Sequence, residues 1–246
     1  MEHVLKTMNA ARHFFMAGTG ALLSRLLGFA RDASIAWLLG SGHAADALSV
    51  ALRLPYLVRR MFGEGTLSLS LTASCAADGS PRLAKAAERR LFAPAALITL
   101  AAVCAAPLIA CAVAPGMADR AETVLLLRIC LPYIFFAVLS ACCMAGLHAS
   151  GHFALPSLAP SVFNISMLTA AGLAAALAPS LPAKAICLAC GALAGGAMQW
   201  LLLHPACRRL PAPPPPDAQK VRAVLSAMPG GLLAAAVPQL SFALAA

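Results

Sequence analysis

Apolar residues fill the chain in long blocks, each closed by a short polar or proline–glycine punctuation. Seven blocks can be drawn, over about residues 10–39, 44–76, 91–113, 123–147, 155–177, 183–203 and 221–246. Each is close to the ~20 residues a helix needs to cross a hydrocarbon core. The two-residue alternation of a membrane barrel is missing. Backbone polar groups in lipid must be satisfied within their own segment, so the blocks predict helices. The punctuation reads as turns: "AADGSPR", "APGMAD", "ASGHFALP" and "APSLPAK". Asp119, in the second of these, is placed to cap the fourth helix. The longest connection, "HPACRRLPAPPPPDAQK", carries a proline run that predicts an extended cytoplasmic spacer. The expected organisation is therefore an all-α, polytopic transmembrane helix bundle of six spans over 1–204. A proline-rich linker follows over 205–220, then a partial seventh span over 221–246.

Composition agrees with the pattern. The 246 residues are 61% hydrophobic and 11% charged, with a mean hydropathy of +0.83, whereas a soluble domain carries about 25% charged residues. The net charge of +9 would suit nucleic acid if it formed one surface, but it is divided between connections. Lys6 and Arg12 precede the first block. Arg82, Lys85, Arg89 and Arg90 lie between the second and third, and Arg208, Arg209, Lys220 and Arg222 flank the last connection. The alternate connections hold only Arg120 and Lys184 besides histidine. That bias predicts a cytoplasmic N-terminus, and it sets topology instead of a nucleic-acid footprint. The first block is too long, and too interrupted by Arg25 and Arg31, to read as a cleavable signal peptide.

Other candidate chemistry is weaker. Cys187 and Cys190 form a lone C-x-x-C in an apolar helix and read as packing residues. His148 and His152 are spaced like a metal pair, but no carboxylate accompanies them, and they read as loop residues. No G-x-x-x-x-G-K-[ST] loop is present, so ATP hydrolysis by this chain is not expected. No cofactor is predicted. A phospholipid-synthesising enzyme would need a paired-aspartate metal motif, which the sequence lacks.

The informative feature is charge inside apolar blocks. Arg25, Arg31 and Asp32 lie in the first, and Asp46, Arg53, Arg59, Arg60 and Glu64 in the second. A charge at mid-membrane costs about 2.5–3.5 kcal/mol on insertion scales, so these two helices are expected to line a hydrated cavity. On a straight helix Asp46, Arg53, Arg60 and Glu64 fall within about 40° of one another, with Arg59 elsewhere. Pro55 bends that helix, however, so the wheel does not rank Arg59 against Arg60. Five cations and three anions suit a pocket for a polyanion, because arginine forks bind phosphate in bidentate fashion. The carboxylates could hold arginines while the pocket is empty, or close a gate. The bland alternative is a set of topology signals and structural ion pairs.

The stretches "SRLLGFARD", "ADALSVALRLPYLVRRMFGEGTLS", "APGMAD", "LPYIFFAVLSACCMAGLHASGHFALPSLAPSVFNISM" and "MPGGLLAAAVPQLS" together resemble the lipid II flippases of the MurJ/MviN type. These belong to the multidrug/oligosaccharidyl-lipid/polysaccharide exporter superfamily. The resemblance implies a two-lobed, fourteen-helix transporter of the bacterial inner membrane. It would move the undecaprenyl-pyrophosphate-linked peptidoglycan precursor to the outer leaflet by alternating access, coupled to membrane potential or an ion. Carried over by motif, Arg25, Arg31 and Arg59 match cavity arginines that bind substrate. Asp32, Asp46 and Glu64 match gating or ion-pairing acids, and Arg53 and Arg60 remain secondary candidates. Family resemblance thus chooses Arg59 where the wheel did not.

The resemblance covers only the first lobe and the start of the second. The expectation is a fragment, a truncated frame or one of two subunits, inactive without the missing C-terminal half, with the ion site mostly outside it. The expected partners are lipid II and membrane lipids. The rival functions are export of another polyprenyl-linked sugar or a drug, and a non-transporting membrane scaffold.

Overall fold

The computed structural model describes residues 2–63, 66–77, 82–116 and 119–210. Side chains are described from residue 18 onward, apart from 60–67 and 82. Glu64, the side chain of Arg60, the linker beyond 210 and the expected seventh span lie outside the described residues. Within them the chain is all helix: α1 (Glu2–Leu39), α2 (His43–Gly63), α3 (Thr66–Ala77), α4 (Arg82–Cys104), α5 (Ala106–Val113), α6 (Arg120–Cys130), α7 (Tyr133–Ala149), α8 (Ala154–Leu177) and α9 (Leu181–Arg209).

Proline explains most departures from the predicted blocks. The third block is two helices, α4 and α5, bent by 68° at Ala105, where Pro107 lacks the N–H that would carry the hydrogen-bond ladder back to Val103. The fourth block breaks at Leu131–Pro132, between α6 and α7. Asp119 does cap α6: its side chain accepts a hydrogen bond from the Glu122 N–H at 3.0 Å. Ser180 caps α9 through the Ala183 N–H at 3.4 Å.

Two loop assignments need correction. Residues 82–90 are helical, so Lys85, Arg89 and Arg90 stand on the first turns of α4 and not in a connection. His148 lies in the last turn of α7, stacked against Phe153 with ring centroids 5.6 Å apart. The last helix also runs through Pro205 to Arg209, into the stretch read as linker.

Three helical segments among the described residues are long and apolar enough to cross a membrane: Arg120–Ala149, Ala154–Leu177 and Leu181–Arg209. The bent pair α4 and α5 makes a fourth if it counts as one span. The charged helices α1 and α2 are not in that set. Helix α7 is central, buried over almost its whole length, and packs on α9, α4, α3 and α2. Helix α8 lies between α1 and α9. Outward-facing apolar side chains, among them Phe29 (76% exposed), Trp37 (79%), Leu108 and Leu177, are ones an aqueous protein would bury and a membrane protein need not.

Small residues set the spacing of α7, α8 and α9, as expected where helices associate by close packing. A Cβ added at Gly196 would come within 2.5 Å of the buried Tyr133 ring, and one at Gly195 within 2.9 Å of Phe163. Gly191 faces the Ala170 methyl directly. Gly196→Ala is therefore expected to lower stability by about 1–3 kcal/mol, the usual cost of overpacking a core. It would be read as a fall in thermal midpoint in detergent. An unchanged midpoint would mean that Tyr133 swings aside freely.

Candidate functional site

Three helices bring one arginine from each of the first two blocks to one aromatic residue. Phe163, on α8, is fully buried. Tyr133 of α7 and Tyr56 of α2 meet it edge-on, with centroids at 5.4 and 6.0 Å. The guanidinium of Arg59, one turn beyond Tyr56, lies over the Phe163 ring at 5.2 Å. Arg31 of α1 reaches the same ring at 5.9 Å and the Tyr56 ring at 5.2 Å. Two cations thus share one apolar wall, where a cation–π contact is worth up to about 2 kcal/mol because water is displaced.

The Arg31 fork is held from two sides. Its Nη1 donates to Asn164 Oδ1 at 2.8 Å. Its Nε and Nη2 both donate to Asp32 Oδ1 at 2.9 Å. Asn164 is itself buried and donates from Nδ2 to the Ser24 carbonyl at 2.8 Å, so one amide ties α8 to α1 and aims the arginine. The Arg31 side chain is 13% exposed and that of Asp32 64%. The carboxylate is therefore the half of the pair that solvent can reach.

Arg59 is half-buried, and among the described residues no carboxylate lies on it. It also opens onto a cavity of about 300 Å³, shared with Ser68, Met144, His148, Ser157 and Gln199. The buried Tyr56 hydroxyl has no hydrogen-bond partner among the described residues. A buried orphan donor is expensive to keep, and this one belongs to the ring that carries the Arg31 guanidinium at 5.2 Å. Together these groups can take an anion: a fork partly neutralised by Asp32, a second cation and a free hydroxyl.

The remaining candidates lie apart from this cluster. Arg25 is exposed on α1. Asp46, in the first turn of α2, and Arg53, two turns on, are both exposed on the side away from the buried residues Ala47, Leu48, Ala51 and Leu52. The structure thus joins Arg31, Asp32 and Arg59, and leaves Arg25, Asp46 and Arg53 on open faces of the same two helices. Sequence reasoning missed Asn164, Tyr56, Phe163 and Gln199. Asn164 carried the one available signal, a polar amide inside an apolar block.

Comparison with known proteins adds to this geometry. The family model for the lipid II flippase MurJ matches residues 35–246. A probable lipid II flippase MurJ of Rhizobium tropici is 34% identical over 175 residues, covering 66% of this chain and 33% of that protein. The lipid II flippase MurJ of Burkholderia cenocepacia is 29% identical, covering 95% of this chain and 48% of that protein. The chain thus spans less than half the length of these relatives. Among solved structures, a lipid II flippase MurJ in an inward closed conformation matches with a TM-score of 0.74 at 19% identity. That match covers 93% of this chain and 49% of the other, and it supports the first-lobe fold.

Proposed function

The chain belongs to the MurJ lipid II flippase family, and on that premise we propose that it is the first lobe of a lipid II transporter. Its arginine cluster binds the pyrophosphate of the lipid-linked precursor during passage from the inner to the outer leaflet. The observation that carries this reading is the convergence of Arg31 and Arg59 on Phe163, with Arg31 also over the Tyr56 ring and the buried Tyr56 hydroxyl unpartnered among the described residues. A pyrophosphate brings several acceptor oxygens; the two guanidinium forks are donors only, and the Tyr56 hydroxyl can donate as well. The activity is transport, not bond-making chemistry.

Asp32 supports alternating use of the site. With the site empty it occupies Arg31 (2.9 Å); an entering phosphate takes over that fork and releases the acid toward solvent. The exposed faces bearing Arg25, Asp32, Asp46 and Arg53 would be unfavourable against lipid. On this reading they face water and a second lobe, and rocking of the two lobes opens the cavity to each side in turn. Relatives are at least twice as long as this chain, so the lobe is proposed to act with the remainder and not by itself.

The test is lipid II accessibility at the outer surface of flippase-depleted cells supplied with the full-length transporter. Outer-leaflet lipid II should be restored, and restoration should fail when Arg31 and Arg59 are both replaced by Ala. Restoration by that double variant would exclude the site as the pyrophosphate contact.

Orientation gives a separate prediction, because Ser180 caps the start of α9 and Arg209 is its last residue. With the basic ends inside, Arg209→Cys should react with an impermeant maleimide only after cells are opened. Ser180→Cys should react from outside, in a background without the other exposed cysteines. The reverse pattern would invert the topology.

A further inference from the structure

Away from the arginine cluster, the basic end of α4 meets α7 and α9 around a buried carboxylate. Lys85 anchors this corner by donating to the Arg208 and Leu210 carbonyls at 3.1 and 3.2 Å. One turn on, Glu88 Oε1 accepts from His204 Nδ1 at 2.9 Å, Trp200 Nε1 at 3.0 Å and the Cys143 thiol at 3.5 Å. The ligand atoms of Glu88, Cys143 and His204 all lie within 4.8 Å of one another. Cys207, in the last turn of α9, belongs to the same buried cluster as Cys143. Both cysteines are buried. Carboxylate, imidazole and two thiols converge here from three helices.

We propose that Glu88, Cys143 and His204, whose ligand atoms already cluster, form a site for a borderline-soft divalent cation of the Zn²⁺ kind, with Cys207, packed in the same buried cluster as Cys143, moving in as the fourth ligand. The donor types suit that class, since thiolate with imidazole selects zinc over magnesium or calcium. The spacing suits it too. Tetrahedral zinc, with bonds of about 2.3 Å to sulfur and about 2.1 Å to oxygen or nitrogen, holds sulfur and oxygen about 3.6 Å apart and nitrogen and oxygen about 3.4 Å apart. The Cys143–Glu88 separation of 3.5 Å already meets the first. His204 and Glu88, at 2.9 Å, need to part by about half an ångström.

The surroundings are those of a supported ligand set. The Trp200 indole donates to the Glu88 carboxylate and stacks obliquely on the His204 ring at 4.8 Å, fixing both, as outer partners of metal ligands do. The His204 side chain is 28% exposed against 10% for Glu88, which leaves a way in past the imidazole. On binding, the two thiol protons and the proton shared at Nδ1 leave the site or move to Nε2, so uptake releases protons. The bound ion would clamp α4, α7 and α9 together. The site is independent of the pyrophosphate reading.

The test uses the purified 246-residue chain in detergent, reduced and stripped by chelator, then titrated with Co²⁺. The wild type should take up a single equivalent, with thiolate-to-cobalt charge-transfer absorption that Zn²⁺ abolishes. Cys143→Ser and Cys207→Ser should each reduce that absorption, and the double variant should lose it. Trp200→Phe keeps every ligand and should weaken binding about tenfold. Cys187→Ser with Cys190→Ser should leave the spectrum unchanged. Absence of thiolate absorption in the helical wild-type chain would overturn the site and leave a hydrogen-bonded knot. So would absorption that survives the Cys143/Cys207 double variant or vanishes with the Cys187/Cys190 pair.

Discussion

Arg31→Ala or Arg59→Ala in the full-length transporter is expected to abolish rescue of a flippase-depleted bacterium at normal expression. Each arginine stacks on Phe163 (5.9 and 5.2 Å) and would offer charge-assisted hydrogen bonds worth about 1.5–3 kcal/mol apiece. Losing one such bond slows a step that depends on it about 10- to 100-fold, since each 1.36 kcal/mol is a factor of ten. Losing the fork removes more than one. Lysine keeps the charge without the planar fork, so Arg31→Lys and Arg59→Lys should rescue only partly. Arg25→Ala should also fall short, but by less, because Arg25 is exposed and outside the Phe163 cluster. Arg89→Ala, on the exposed side of α4, should rescue fully. Full rescue by alanine at Arg31, Arg59 and Arg25 alike would reduce all three to topology signals.

The sequence announced this site through cost. Arginine and aspartate inside apolar blocks are expensive wherever they sit, so Arg31, Asp32 and Arg59 stood out without any structure. What each charge touches was not legible, because it depends on which helices meet. Tyr56 and Phe163 look like ordinary apolar positions, and only the contact between α2 and α8 makes them a cation-binding wall. The choice between Arg59 and Arg60 failed on the wheel for a local reason. Pro55 sits inside α2, and a proline within a helix alters the direction of everything beyond it.

The opposite error occurred at residues 82–90. Four basic residues in nine suggested an aqueous loop, yet alanines and leucines between them give the segment a buried face at Leu83, Ala84 and Ala87. Its one acid, Glu88, was hidden among those cations. It turns inward to Trp200 and His204, residues more than a hundred positions away. Helix identity was local information; the pairing of polar side chains across helices was not.

Asn164 provides the sharpest separation between a cavity that binds an anion and a bundle that merely tolerates charge. Its Oδ1 takes one arm of Arg31 (2.8 Å) while its Nδ2 holds the Ser24 carbonyl (2.8 Å), so it acts on substrate only through the arginine it positions. Asn164→Ala releases Arg31 from α8, and the guanidinium then follows Asp32 toward solvent. Transport should fall at least about tenfold, from the loss of one hydrogen bond to a charged group. Asn164→Asp is the more telling variant. It has nearly the same shape, keeps an acceptor for Arg31 and strengthens that bond by making it an ion pair. Aspartate has no donor for the Ser24 carbonyl, so for a strut between α1 and α8 this change should cost about as much as Asn164→Ala. For a phosphate site it should cost more, because a second carboxylate beside Asp32 cancels the positive charge and repels the incoming anion. The expected result is that Asn164→Asp, at wild-type levels in the membrane, rescues a flippase-depleted strain worse than Asn164→Ala does. Restoration of outer-leaflet lipid II by the aspartate variant at least as well as by the alanine variant would make Asn164 a structural link and remove Arg31 from the binding site.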